Sequence, residues 1–178
     1  VLFRSLLHQA AQSIRNNLSQ IEFCSSSLQA SSAVREYVED KDLSGGDGVY
    51  LYLTGVQSTF EQLRGSNPFL ESIRVYRAAP REMNDPYNVL NRADSPYLSA
   101  LERPLNATGL TLMLDLAGAE SRCVVLKHLY SDKYYRQIGT TEIVCDADYL
   151  LSPLHFVEDG EYLLLRLGDS AYRVAHEI

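Results

Sequence analysis

From Val1 to about Asp40 the chain carries no proline and no glycine, and Leu7, Ile14, Ile21 and Leu28 recur at every seventh position with Phe3, Ala10 and Cys24 at the intermediate spacing. Apolar residues at that period on an uninterrupted stretch specify a long helix with one apolar stripe. Such a stripe has two uses: packing on the chain's own domain, or forming a parallel homodimer seam of the kind receptors use to carry a signal. Asn17 and the cluster Ser25, Ser26 and Ser27 break the strict coiled-coil pattern. Leu43-Ser44-Gly45-Gly46-Asp47-Gly48 then ends the region with a flexible turn, and because no strand precedes it, it is not a phosphate loop.

A second helix is expected from Val49 to Arg64, where Val49, Leu53, Val56, Phe60 and Leu63 stand three to four residues apart and Gly65-Ser66-Asn67-Pro68 stops the pattern. The period then changes to two. In Phe69 to Arg77, Phe69, Ile73 and Val75 share one face and Arg74 and Tyr76 the other, which specifies a first strand. Four prolines, Pro80, Pro86, Pro96 and Pro104, mark Ala78 to Gly109 as an irregular insertion with short helical pieces, one of them over Pro96 to Arg103. Long insertions inside a compact domain are often functional.

Strands dominate afterwards. Leu110 to Ala117, Arg122 to Tyr130 and Arg136 to Cys145 are runs of branched residues between turn signals, and they read as an antiparallel meander. Asp146 is placed to cap a short helix through Leu151, closed by Pro153. Glu161 to Leu167 and Ala171 to His176 make a last hairpin about Gly168-Asp169. The expected fold is a single α+β domain over residues 1–178: N-terminal helices in 1–66 packed on a core in 69–178 built on a five- to six-stranded antiparallel sheet.

Composition narrows the partners. A formal charge of −7 and a pI near 5.1, with no basic stripe, disfavour nucleic acid and anionic lipid. No run approaches the roughly 18 apolar residues of a membrane span. The chain opens at Val1 without a methionine and stops at Ile178 within strand-like sequence, so flanking segments are expected, and any membrane contact is expected through them. Cys24, Cys123 and Cys145 have no histidine at ligand spacing, and the histidines His8, His128, His155 and His176 fall in four different elements. Without a nucleophile elbow, zinc-protease motif, Walker loop or dinucleotide fingerprint, neither catalysis nor a cofactor or metal is expected.

The long N-terminal helix, the strand Ser72-Ile73-Arg74-Val75-Tyr76 and the later segment Ile138-Gly139-Thr140-Thr141-Glu142-Ile143-Val144-Cys145-Asp146-Ala147-Asp148-Tyr149-Leu150 resemble Cache (PAS-like) sensor domains of bacterial sensor histidine kinases. The closing Glu158 to Asp169 segment is similar to that family's terminal hairpin. The resemblance implies an extracytoplasmic domain between two transmembrane helices. Such a domain binds a small molecule in a PAS-like pocket beside the sheet and signals to a cytoplasmic kinase. The chain departs from the family where Ala78-Ala79-Pro80-Arg81 replaces a glycine-bearing turn. It also lacks the tyrosine, arginine, tryptophan and aspartate signature of amino-acid-binding members, and has no tryptophan at all.

Candidate ligand contacts follow from residue type and placement. Arg74 and Arg77 are forks for an anionic group, joined by Arg81 and Arg92, while Asp115 and Asp85 suit an amine. Tyr76, Tyr87, Tyr97 and Tyr130, with Tyr134 and Tyr135, offer an apolar face and a polar tip. A hairpin symmetric about Tyr134 sets His128 opposite Thr140 and diagonal to Glu142, in a structural, ligand-binding or pH-sensing role. The same register sets Cys123 across from Cys145, either as an interstrand disulfide or as two small buried hydrophobes. Two other functions fit the same fold class: a dimerisation or protein-interaction module without a small ligand, and a cytoplasmic PAS- or GAF-like regulatory domain.

Overall fold

In a computed structural model the chain is described over residues 2–39, 46–80, 88–97, 110–115, 121–156, 162–167 and 170–175. Helix α1 (Leu2–Ala30) is 29 residues long, about 44 Å at 1.5 Å per residue. The expected single helix is broken at Ser31, whose hydroxyl accepts from the backbone N–H of Val34 at 3.4 Å and starts α2 (Ser32–Glu39). The stripe packs on the chain's own domain: Ala10, Ile14, Ile21, Cys24 and Leu28 are buried against the sheet and the following helices. Asn17 belongs to the same stripe, and its amide donates to the carbonyl of Tyr149 at 2.9 Å. Of the apolar residues before Ala10, Phe3 and Leu6 stay exposed.

The next helical region is α3 (Gly46–Leu51), a π-helical turn (Tyr52–Val56) and α4 (Gln57–Ser66). The π-turn corrects the expected continuous stripe. One extra residue in the turn rotates everything before it by about 100° relative to everything after it. Val56, Phe60 and Leu63 are therefore buried, whereas Val49 and Leu53 are 59% and 55% exposed beside a still more exposed Tyr50. Inside the turn, Gly55 lets α2 approach closely, since a Cβ there would lie 2.5 Å from Ala33 Cβ.

Among the described residues seven strands follow: β1 (Leu70–Arg77), β2 (Val89–Asn91), β3 (Leu110–Asp115), β4 (Arg122–Tyr130), β5 (Gln137–Asp146), β6 (Tyr162–Leu167) and β7 (Ser170–Ala175). The first five form one sheet in the order β2-β1-β5-β4-β3, and β6 and β7 form a separate antiparallel pair. The sheet is mixed, which corrects the all-antiparallel expectation. β2 pairs with β1 in parallel, through Val75↔Val89, Tyr76↔Leu90 and Arg77↔Asn91. With three residues beside turn-forming sequence, β2 carries no period of its own. The insertion helix expected over Pro96 to Arg103 lies, past Tyr97, outside the described residues.

Between β4 and β5 the register runs Cys123↔Cys145 to Leu129↔Gly139, with His128 opposite Thr140 as the symmetric hairpin requires, and shifts only at Leu129/Tyr130. At that shift the Gln29 side chain of α1 receives the N–H of Tyr130 at 2.9 Å and donates to its carbonyl at 3.1 Å. Helix α2 holds the turn beyond it: Arg35 bonds Asp132, and Glu39 accepts from Ser131 Oγ at 2.8 Å and from Arg136 at 3.2 Å. Asp146 caps α5 (Ala147–Leu151) by accepting from Asp148 N–H at 2.8 Å.

The helices cover one face of the sheet. Ile73, Val75, Cys123, Val125, Leu129, Ile143 and Cys145 face α1, α2 and α4 in a single apolar core. Full burial of each aliphatic side chain contributes about 1.5–3 kcal/mol. Gly139 brings β5 close to β1 on this side, as a Cβ there would meet the carbonyl oxygen of Tyr76 at 2.6 Å and Val38 Cγ1 at 3.3 Å.

Candidate functional site

The other face of the sheet carries the alternate residues, and the register sets them in rows. Ser72, Val144, Val124 and Met113 form one row, and Arg74, Glu142, Leu126 and Thr111 the next. A third holds Leu90, Tyr76, Thr140 and His128. Tyr76, Val124, Leu126 and Val144 make a second buried cluster against which Leu90, Tyr97 and Met113 pack.

In the middle of this apolar floor sits Glu142, with no exposed surface. Its Oε1 accepts from Arg74 Nη1 at 3.4 Å and from the Tyr76 hydroxyl at 3.3 Å. Its Oε2 is buried and has no hydrogen-bond partner. Burial raises the Glu142 carboxyl above its ordinary range, and Arg74, Tyr76 and Ser95 only partly offset this. The Tyr76 hydroxyl is also pushed up, by burial first and by the Glu142 charge second. An internal carboxylate with one oxygen unmatched is the most polar demand this face makes.

His128 stands at the edge of the floor. Its Nδ1 accepts from Gln137 Nε2 at 2.7 Å, so its partner is Gln137, which also reaches Thr140 Oγ1 at 3.3 Å. Burial, and then the charge of Arg92, lowers the His128 value and favours the neutral ring. Tyr130 packs edge-on against His128 at 6.0 Å and is 40% exposed.

The expected contacts therefore divide. Arg74, Tyr76, Tyr97 and His128 share one face with Glu142, and of these Arg74 and Tyr76 bond it. Arg77 points to the opposite face, buried, with its guanidinium 5.0 Å from the centroid of the Tyr37 ring in α2. This follows from strand alternation, since an odd-numbered neighbour of Ile73 and Val75 shares their side. Tyr87, Arg81 and Asp85 lie outside the described residues, as does the side chain of Asp115, whose backbone ends β3 opposite Arg122. Glu142 itself is not among the residues expected from sequence to touch ligand. The signal was a lone charged residue among the β-branched and apolar residues of Ile138 to Cys145, at a position paired with Leu126.

Cys123 and Cys145 are free thiols, both fully buried on the helix face, with Cys145 Sγ donating to the Cys123 carbonyl at 3.6 Å. The hydrogen bond with Cys123, followed by burial, pushes the Cys145 thiol far up, so it is a poor nucleophile.

Clefts among the described residues lie elsewhere. One of about 420 Å³ is lined by Arg35, Glu39 and Asp132, whose charges are already paired. A groove of about 560 Å³ runs past Phe23 and the stacked Phe69 and Tyr149, and a smaller cleft of about 200 Å³ lies by Val38 and Ile138. Among the described residues no group of histidine, cysteine and acidic side chains is arranged to hold a metal ion, and no helix is long and apolar enough to cross a membrane. Neither a protein-family model nor a curated protein sequence matches the chain.

Proposed function

We propose that this chain is the extracytoplasmic small-molecule-sensing domain of a membrane-bound receptor of the Cache type, as in two-component sensor histidine kinases, with its ligand bound on the sheet face opposite the helices. The observation that carries the ligand site is Glu142, a fully buried carboxylate with one oxygen unmatched beside the buried cluster of Tyr76, Val124, Leu126 and Val144. Ligand pockets share that composition, an apolar lining with few convergent polar groups.

The fold is compatible with this assignment. The two segments that resemble Cache domains, Ser72–Tyr76 and Ile138–Leu150, are neighbours in the sheet, with β1 against β5. We read the sheet, antiparallel apart from β2, as the PAS-like sheet of that family, backed by a long helix as the family's is. Occupancy of the floor would bias β5, which packs on α1 by its other face, and α1 would carry the change outward.

The test is a thermal-shift screen against amino acids, organic acids, amines and sugars, with every hit mapped by backbone amide shifts. Hits that perturb Arg74, Tyr76, Leu126 and Glu142 support the reading. Hits confined to the clefts of the helix side overturn the site. Segments flanking the chain in its gene that lack apolar runs of about 20 residues overturn the receptor assignment.

A further inference from the structure

Glu142 poses a specific chemical problem. Arg74 and Tyr76 converge on Oε1 at the long distances of 3.4 and 3.3 Å, Ser95 stands near the carboxyl, and Oε2 has no donor within hydrogen-bond distance. Leaving a buried acceptor unmatched disfavours the fold, and more so when the group is charged. Buried polar atoms in folded proteins are nearly always matched, so an exception calls for a donor from outside the chain.

The surroundings select among donors. A carboxylate or phosphate would bring like charge against Glu142. An alkyl group would seal the unmatched oxygen against hydrocarbon. A neutral hydroxyl would satisfy the geometry, but the charge would remain countered mainly by Arg74, whose side chain is 37% exposed and shared with water. A cationic nitrogen supplies both the N–H donor and the missing charge, and the second oxygen lets one carboxylate bridge two cations.

Resting on the reading of this face as the ligand site, we infer that Glu142 Oε2 anchors the protonated amine of a small ligand whose carbon body lies against Leu90, Tyr97 and Met113, the partly buried members of this cluster. The structure sets one further requirement. Tyr76 and Arg74 serve Oε1, so they tune the anchor without touching the nitrogen, and the ring of Tyr76 packs with the same floor.

The test uses three probes of one shape, n-butylammonium, butan-1-ol and butyrate. They are titrated into the wild-type chain, Glu142→Gln and Ser58→Ala, and followed by amide shifts in two-dimensional spectra. The expected result is that butylammonium shifts the amides of Arg74, Tyr76, Leu126 and Glu142 and binds at least about tenfold more weakly to Glu142→Gln, a difference of about 1.4 kcal/mol. Ser58→Ala, on the exposed side of α4 and away from this face, retains the response. Equal shifts with butan-1-ol or butyrate at the same amides overturn the amine and leave the ligand face standing. Unchanged amine binding in Glu142→Gln, or its loss in Ser58→Ala, overturns the anchor. Shifts confined to the helix-side clefts, or no shifts from any probe, overturn both the anchor and the ligand face.

Discussion

Replacing Gly139 by alanine tests whether strand spacing or intrinsic propensity governs this sheet. By propensity the change should help, because glycine inside a strand is weaker than alanine by about 0.5–1 kcal/mol. The structure opposes that gain. The new Cβ would lie 2.6 Å from the Tyr76 carbonyl oxygen, about 0.9 Å inside an ordinary contact of 3.5 Å or more, and 3.3 Å from Val38 Cγ1. Neither strand can recede freely, since Arg77 pairs with Gly139 and Ala78 N–H donates to the Ile138 carbonyl at 2.9 Å just beyond. Overpacking against backbone costs about 1–3 kcal/mol, so after the propensity gain the net expectation is a loss of about 1 kcal/mol, or about 2–4 °C in Tm for a chain of this size. The internal control is Gly65→Ala in the last turn of α4, where nothing lies within 4 Å of the new Cβ. That change should stabilise by about 0.5–1 kcal/mol. Urea unfolding with unchanged slopes reads both values. A Gly139→Ala variant as stable as the parent, or a Gly65→Ala variant that falls with it, would refute the reasoning.

Further outcomes rest on buried polar groups. Glu142 is raised by burial in the folded chain, so between its ordinary value of 4.5 and the raised one the folded state binds more protons than the unfolded state. Stability is therefore lost as pH rises through that window, and unfolding of Glu142→Gln across pH 4 to 8 should show a flatter profile than the parent. Ser25 in α1 is 1% exposed with its hydroxyl unmatched; Ser25→Ala should raise stability by about 1 kcal/mol in calorimetry, and a loss would mean that the hydroxyl is matched in solution. Gln29→Ala removes both bonds to Tyr130 and should cost about 1–3 kcal/mol in chemical denaturation, whereas a surface side chain with no such role would change little.

What could be read from the residues alone depended on how local the signal was. The β4–β5 pairing was legible because strand period and turn position together leave one register that buries Cys123, Val125 and Leu129, and the structure has it. The Asp146 cap was legible from three residues of context. The π-turn was not, because Val49 and Leu53 match Phe60 and Leu63 in an ideal helix. The extra residue is selected by how closely Gly55 must approach Ala33, a contact that exists only in three dimensions. Break and cap at Ser31 were hidden by the absence of proline and glycine. At the candidate site, strand alternation already set Arg74 and Tyr76 on one side, and the same alternation should have removed Arg77 from the group. The importance of Glu142 depends on which of its oxygens goes unmatched, and no spacing rule carries that.

The Gln29 side chain makes the sheet and the first helix a single mechanical part. Tyr130 lies past the last β3 pair, Leu110↔Lys127, at the one place where β4 and β5 slip register. There a side-chain amide from α1 takes both backbone bonds that a neighbouring strand would otherwise take. The ladder is in effect completed by a helix, so the hydrogen-exchange lifetime of the Tyr130 amide belongs to the docking of α1 rather than to the opening of the hairpin. A probe placed at that one amide would watch the helix from inside the sheet.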